Sequence, residues 1–232
     1  VFATADPPDI AQERFGVSTA PYSSILRDGI ATTLLIVAAM HEEVGLEAMD
    51  RPAQFVADLV ASLPGLTDDP RVIFALERQL TYLMEAAPDP LLSALGQMLE
   101  GDHDLTAQFF VETLNHGVAR SKLPNLLWAL ELQAWDPQYF RKVALLLARL
   151  DSLDTGGKSG NRPIDSLRDV FVAWSPGTNA TLAERIAVLD EIIARHPATG
   201  WRLTALLLPR FHDVKGPTQR PRFRDAGASE RE

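Results

Sequence analysis

Apolar residues recur along this chain at spacings of three and four, and the densest stretch runs from Pro124 to Leu150. Leu126, Leu127, Leu130 and the pair Ala134/Trp135 share one helical face; Val143, Leu146, Leu147 and Leu150 form a second stripe. Between them Asp136 is placed to cap a new helix. Pro137 takes that helix's first position, where a missing N–H removes no bond. The stretch therefore predicts two helices joined at a corner. The corner AWDP (Ala134–Pro137) returns as AWSP (Ala173–Pro176) about 39 residues later, a spacing that suits a stacked helical repeat.

The rest of the chain reads the same way. Residues Val1 to Tyr22 carry Pro7, Pro8, Gly16 and Pro21 and hold no apolar period, so an irregular segment is expected. Ser23 or Ser24 can cap a first helix to about Glu43, apolar on more than one face and hence central in the packing. Asp50 and Pro52 open a second helix to Ser62, and Asp69-Pro70 a third to Ala86. A fourth covers Leu91 to Leu99. A fifth, capped by Asp104, runs through Phe109, Phe110 and Leu114, and polar Asn115 to Lys122 loops out. After Leu150 the breaker-rich stretch Asp151 to Pro163 separates the corner helices from one starting at Asp165 or Ser166 and ending at Trp174. Thr181 and Glu184 fit a capping box, in which each satisfies an orphan N–H. That helix ends at His196-Pro197, and Gly200/Trp201 open a last one to Leu208, stopped by Pro209.

No segment alternates apolar and polar residues with β-branched enrichment, and no Asn-Gly or Asp-Gly turn joins two apolar runs. The expected fold is all-α: antiparallel helix pairs stacked as an α-solenoid, a superhelix of the HEAT or TPR kind. Residues 1–208 form a single helical-repeat domain, with a sub-boundary near 115–123. Residues 209–232 form a basic irregular C-terminal arm.

Composition narrows the function. The net charge is −9, so an acidic body repels phosphate backbones and nucleic acid is a poor fit. There is no cysteine, which excludes disulfides and thiol nucleophiles. The longest apolar run, Ile30 to Met40, is too short to span a membrane. With no basic-then-apolar leader at the start, a bacterial cytoplasmic protein is the expectation. The first residue is Val rather than Met, which suggests a piece of a longer chain.

Candidate chemistry is sparse. Ser152 to Ser159 reads SLDTGGKS, whose tail imitates a phosphate-binding loop, but Ser152 stands where a glycine is needed and no strand precedes it. His41-Glu42-Glu43 opens like a zinc-protease helix, yet Gly45 stands where the second histidine belongs. Asp102-His103-Asp104 are adjacent and cannot readily converge on one ion. His116, His196 and His212 show no ligand spacing, and His196 ends a helix, where a cation suits the dipole. Carboxylate pairs fall on faces that read as solvated. Trp128, Trp135, Trp174 and Trp201 lie in the C-terminal half, where packing at corners explains them better than a ligand groove. No catalytic, metal or cofactor-binding residue is assigned. Basic residues gather late, with Phe211 and Phe223 interleaved. Arg210, Phe211, Arg220, Arg222, Phe223 and Arg224 are the candidate interaction residues, and the arm is expected to dock on the acidic body through its two phenylalanines.

The segment LLWALELQAWDP (Leu126–Pro137), RKVALLLARLD (Arg141–Asp151) and GGKSGNRPIDSLRDVF (Gly156–Phe171) resembles a helical-repeat region of large bacterial multidomain proteins. In some of these the repeats follow a nucleotide-hydrolysing module of the STAND type. The resemblance spans Pro124 to Arg224. It implies that the chain is a sensor arm with any ATPase outside it, and it carries over no catalytic residue. The functional expectation is a non-enzymatic protein-interaction scaffold or sensor, with a protein partner, no membrane and no cofactor. The alternative is a helical ligand-binding or enzymatic domain with a pocket lined by the C-terminal tryptophans. A nucleic-acid binder acting through the basic tail ranks third.

Overall fold

The computed structural model describes residues 22–46, 48–101, 103–115, 118–158, 160–209 and 213–224. Eleven α-helices make up most of them: α1 (Ser24–Ala39), α2 (Pro52–Ala61), α3 (Pro70–Leu76), α4 (Gln79–Ala86), α5 (Pro88–Glu100), α6 (His103–Ala107), α7 (Leu123–Gln133), α8 (Pro137–Leu153), α9 (Pro163–Phe171), α10 (Leu182–Arg195) and α11 (Pro197–Leu207). The mostly helical class agrees with the apolar spacing. Among the described residues no helix is long and apolar enough to cross a membrane. The irregular N-terminal segment lies outside the described residues except for Tyr22.

Local chemistry sets the helix starts. The Ser23 hydroxyl accepts from Leu26 N (3.2 Å), and the Asp136 carboxylate accepts from Gln138 N (2.9 Å) with Pro137 next in line. Thr181 and Glu184 close the capping box from both sides, at 3.3 and 2.7 Å. Proline opens α9 at Pro163 and α11 at Pro197, each a few residues earlier than the apolar period suggests.

Three expectations need correction. The helix from Pro70 to Ala86 is broken at Glu77, whose φ of 47° lies in the left-handed region. Arg27 of α1 holds the break: it donates to Ala75 O (2.9 Å) and to Glu77 Oε2 (3.0 Å), while Asp28 pairs with Arg78. These tertiary bonds override a segment with good helix propensity. Second, the fifth helix stops early. A 3₁₀ turn, Gln108–Phe110, leads into β1 (Glu112–Asn115), which pairs antiparallel with β2 (Val118–Ser121) where a loop was expected. A two-stranded pairing of four residues each is too short to print a period in the sequence. Third, the two Ala-Trp-x-Pro corners are not equivalent. Pro137 opens α8, but α9 ends at Phe171 and no helix starts at Pro176.

The helices pack in order. α1 lies on α4, α4 on α7 and α7 on α9; beside them α2 lies on α5 and α5 on α8, which also meets α10 and α11. Consecutive partners cross over between these sets: α1 with α2, α4 with α5, α7 with α8. Their apolar faces form one contiguous core that includes Leu35, Leu80, Leu91, Leu127, Phe140 and Leu167. Polar bonds stitch neighbours at a steady sequence separation. Arg27 to Glu77, Tyr139 to Asp89, Arg149 to Leu99 O and Arg141 to Glu191 are each 50 residues apart. The helices therefore meet at a longer spacing than the 39 residues between the corners suggest. Tyr139 buries its phenol against Asp89 (3.0 Å), and desolvation followed by that bond pushes its pKa up to about 12.

Candidate functional site

Residues 213–224 form an irregular strap that crosses back over α9, α7 and α4. It has no secondary structure of its own beyond a bend, so every feature of its path comes from what it touches.

The first station is α9 and the turn after it. Asp213 pairs with Arg168, and Lys215 Nζ donates to Ser175 O at 2.5 Å. Thr218 passes close to Gly177, where a Cβ would lie 3.0 Å from the Thr218 Cγ2, so any larger residue there would push the strap away. Asp169 beside it is buried enough that desolvation raises its pKa, against the attraction of Lys215 and Arg168.

The second station is the C-terminal end of α7. Glu131 is buried there, accepts from the Ser166 hydroxyl (2.6 Å) and accepts the backbone N–H of Gln219. Desolvation nevertheless raises the Glu131 pKa above the ordinary carboxylate value. Arg220 then lays its guanidinium 4.0 Å from the ring centroid of Trp135, a cation–π contact on a side chain only 8% exposed.

The third station is the C-terminal end of α4. Glu85, 1% exposed, presents one carboxylate oxygen to three successive backbone N–H groups. Arg222, Phe223 and Arg224 donate to Oε1 at 2.9, 2.6 and 2.9 Å. The Arg224 guanidinium donates to Ala86 O (2.9 Å), and Arg222 stands 5.5 Å from the Tyr82 ring centroid. A helix C-terminus leaves carbonyls unsatisfied and carries partial negative charge. Adding a buried carboxylate at the ends of α4 and α7 deepens that field. Cations and N–H groups from the strap answer it.

Of the sequence candidates, Arg220, Arg222, Phe223 and Arg224 converge on this line, while Arg210 and Phe211 lie outside the described residues. Of the two phenylalanines expected to dock the arm, Phe223 is 36% exposed and Phe211 lies outside the described residues. Main-chain bonds to a buried carboxylate and guanidinium–aromatic contacts add to the hold on the described part of the arm. Three single carboxylates that sequence reasoning did not single out, Glu85, Glu131 and Asp151, are buried. Both glutamates sit within apolar runs, YLMEAA and LLWALEL, and an acid on an apolar face was the available signal. Corner packing explains only one tryptophan: Trp128, Trp174 and Trp201 are exposed.

The remaining motifs have structural roles. In the phosphate-loop imitation, Lys158 N donates to Glu112 Oε2 (2.9 Å), and Arg162 ties Glu112 to Asp154. A Cβ on Gly157 would sit 2.3 Å from the Glu112 carboxylate, so the glycine admits the chain's own acid where a phosphate would go. Ser159 lies outside the described residues, as do His116 and His212. Burial, with Arg149 and Arg195 nearby, lowers the His196 pKa against the attraction of Asp151. Among the described residues no three His, Cys, Asp or Glu side chains gather as metal ligands. Two surface hollows, of about 540 and 140 Å³, are lined by Asp68, Asp69 and Arg71 and by Thr106, Phe110 and Leu153 respectively, with no tryptophan in either. Comparison with protein-family models, curated proteins and solved structures finds no match to this chain.

Proposed function

We propose that this chain is a non-enzymatic protein-interaction scaffold, an α-solenoid whose helix ends form a docking face for extended polypeptide. Ordered side-by-side packing of α1, α4, α7 and α9, with bonds repeating at separations of 50 residues, supports the solenoid reading. One observation carries the docking face: a segment without regular secondary structure lies across three neighbouring helices and is held by its main chain at Glu85. That is how a scaffold holds a peptide, since main-chain contacts give grip and side-chain contacts give selectivity. The resemblance to a sensor arm of STAND-type proteins fits the same use.

The test is a photo-crosslinking scan. A benzophenone amino acid replaces Tyr82, Trp128, Trp174 or Trp201, one at a time, in cells that produce the protein. The scaffold reading expects intermolecular adducts, with the crosslinked peptides of both proteins identified by mass spectrometry. Intrachain adducts alone at all four positions would contradict it.

A further inference from the structure

We infer that the face crossed by the strap is a docking groove for an extended, arginine-rich segment of a partner protein, and that residues 213–224 fill it in cis as a competitor. This rests on the scaffold reading and adds the chemistry of the partner and its control.

The groove states that chemistry through four contacts. Trp135 offers its ring face to Arg220, and Tyr82 offers its ring to Arg222 two residues on. The Ala86 carbonyl accepts from Arg224, again two residues on. The three arginines stand at every second position, and each meets its own acceptor along this face, with the chain bent over residues 222–224 so that three successive N–H groups turn to one oxygen. The Glu85 carboxylate takes the three N–H groups from Arg222 to Arg224, which requires main chain and no particular side chain. Pro221 stands between the first two arginines, where no N–H is called for, and favours an extended backbone. Arginine suits these positions better than lysine. A planar guanidinium stacks on an aromatic face while its edge donates to a carbonyl, which a compact ammonium does not reproduce.

The strap is suited to leave as well as to bind. Arg220, Arg222, Val214 and Phe223 stay exposed, so little apolar surface holds it down. Trp135 keeps a buried indole N–H with no partner among the described residues even with the strap seated, so the described part of the cis segment does not use this donor of the groove. Both features mark an occupant that a better-matched segment displaces. A groove filled in cis has reduced apparent affinity for the same chemistry in trans, by the fraction of chains with the strap released.

The experiment uses the whole chain and a fluorescein-labelled synthetic peptide, DVKGPTQRPRFR, the sequence of residues 213–224. Binding is followed by anisotropy in about 0.15 M salt, where exposed pairs are screened. The strap is unseated by the triple change Arg222→Pro, Phe223→Pro and Arg224→Pro, which removes the three N–H groups that Glu85 takes together with two of the three arginine contacts, and circular dichroism with melting confirms that the helical body is retained. The unseated chain is expected to bind the peptide at least about tenfold more tightly than the unaltered chain. A peptide with lysine at its three arginine positions is expected to bind at least about fivefold more weakly. Adding Glu85→Gln to the unseated chain is expected to weaken binding by about tenfold, and a melting curve checks that this chain is folded. Equal affinity for the two chains would overturn competition in cis, and equal affinity for arginine and lysine peptides would overturn the arginine chemistry. Absence of any binding to a folded, unseated chain would overturn the groove itself, while protein adducts at Trp128, Trp174 or Trp201 would still uphold the scaffold. A concentration-dependent dimer that the triple change dissolves would put a second copy's strap in the groove and overturn the cis assignment.

Discussion

Two corners of this chain share the pattern Ala-Trp-x-Pro, at Ala134–Pro137 and Ala173–Pro176, and they fold differently. At the first, α7 runs to Gln133, Asp136 caps α8 and Pro137 opens it. Trp135 is 8% exposed and lies beneath Arg220. At the second, α9 has already ended at Phe171, Trp174 is 60% exposed, and the chain turns for several residues before α10. The residues that follow decide the outcome. After Pro137 come Tyr139, Phe140, Val143 and Leu147, an apolar stripe that a helix can bury. After Pro176 come Gly177, Thr178 and Asn179, which bond outside any helix: Thr178 accepts locally from Ala180 N (3.0 Å), and Asn179 N donates across to Trp135 O (3.2 Å). The second corner serves as a buttress of the first. A proline can open a helix only where a face exists to bury.

The comparison can be broken most sharply at the tryptophans. Trp135→Ala opens a cavity beneath the strap and is expected to cost about 3–5 kcal/mol in denaturant unfolding. An unchanged denaturation midpoint would mean that Trp135 does not pack as described.

Next in size is the hold of the strap on the body. Glu85→Gln leaves three N–H groups facing a neutral oxygen, and bonds to charged acceptors are roughly twice as strong as neutral ones. Trypsin cleavage after Arg222 and Arg224 is expected to speed up by about tenfold or more, with little change in melting of the helical body. Equal cleavage rates in the two proteins would show that the carboxylate does not hold the strap.

A smaller effect concerns pH. Desolvation raises the folded-state pKa of Glu131 above its unfolded value, so between the two the folded chain binds more protons. Stability contributed there is present at low pH and falls as pH rises through that window. Glu131→Gln removes the titration, so stability measured from about pH 4.5 to pH 7 is expected to fall less in the variant than in the parent. A parallel pair of curves would place Glu131 in solvent.

The smallest effect closes the comparison. Trp174→Ala is expected to change stability by no more than about 0.5 kcal/mol, as exposed substitutions do. A loss comparable to that of Trp135→Ala would make the two corners equivalent after all.

What the sequence makes legible follows from range. Capping boxes, proline starts and the apolar stripe of α8 are settled within a turn or two, and they read correctly at Asp136, Thr181 and Ser23. The break at Glu77 does not read, because Arg27 enforces it from 50 residues away. The same limit applies to the seat of the strap. Glu85 and Arg222 lie 137 residues apart, and neither shows its partner locally. The basic tail reads as a candidate, but its phenylalanines stand out more than the backbone N–H groups that Glu85 takes. Main-chain donors have no sequence signature.

The central claim is that residues 222–224 are gripped by one buried carboxylate in solution. Amide hydrogen exchange measures this directly. The N–H groups of Arg222, Phe223 and Arg224 are expected to exchange at least about a hundredfold more slowly than in an unstructured peptide, as bonded amides do, and to lose that protection in Glu85→Gln. Exchange of all three at the unstructured rate in the unaltered protein would contradict the account.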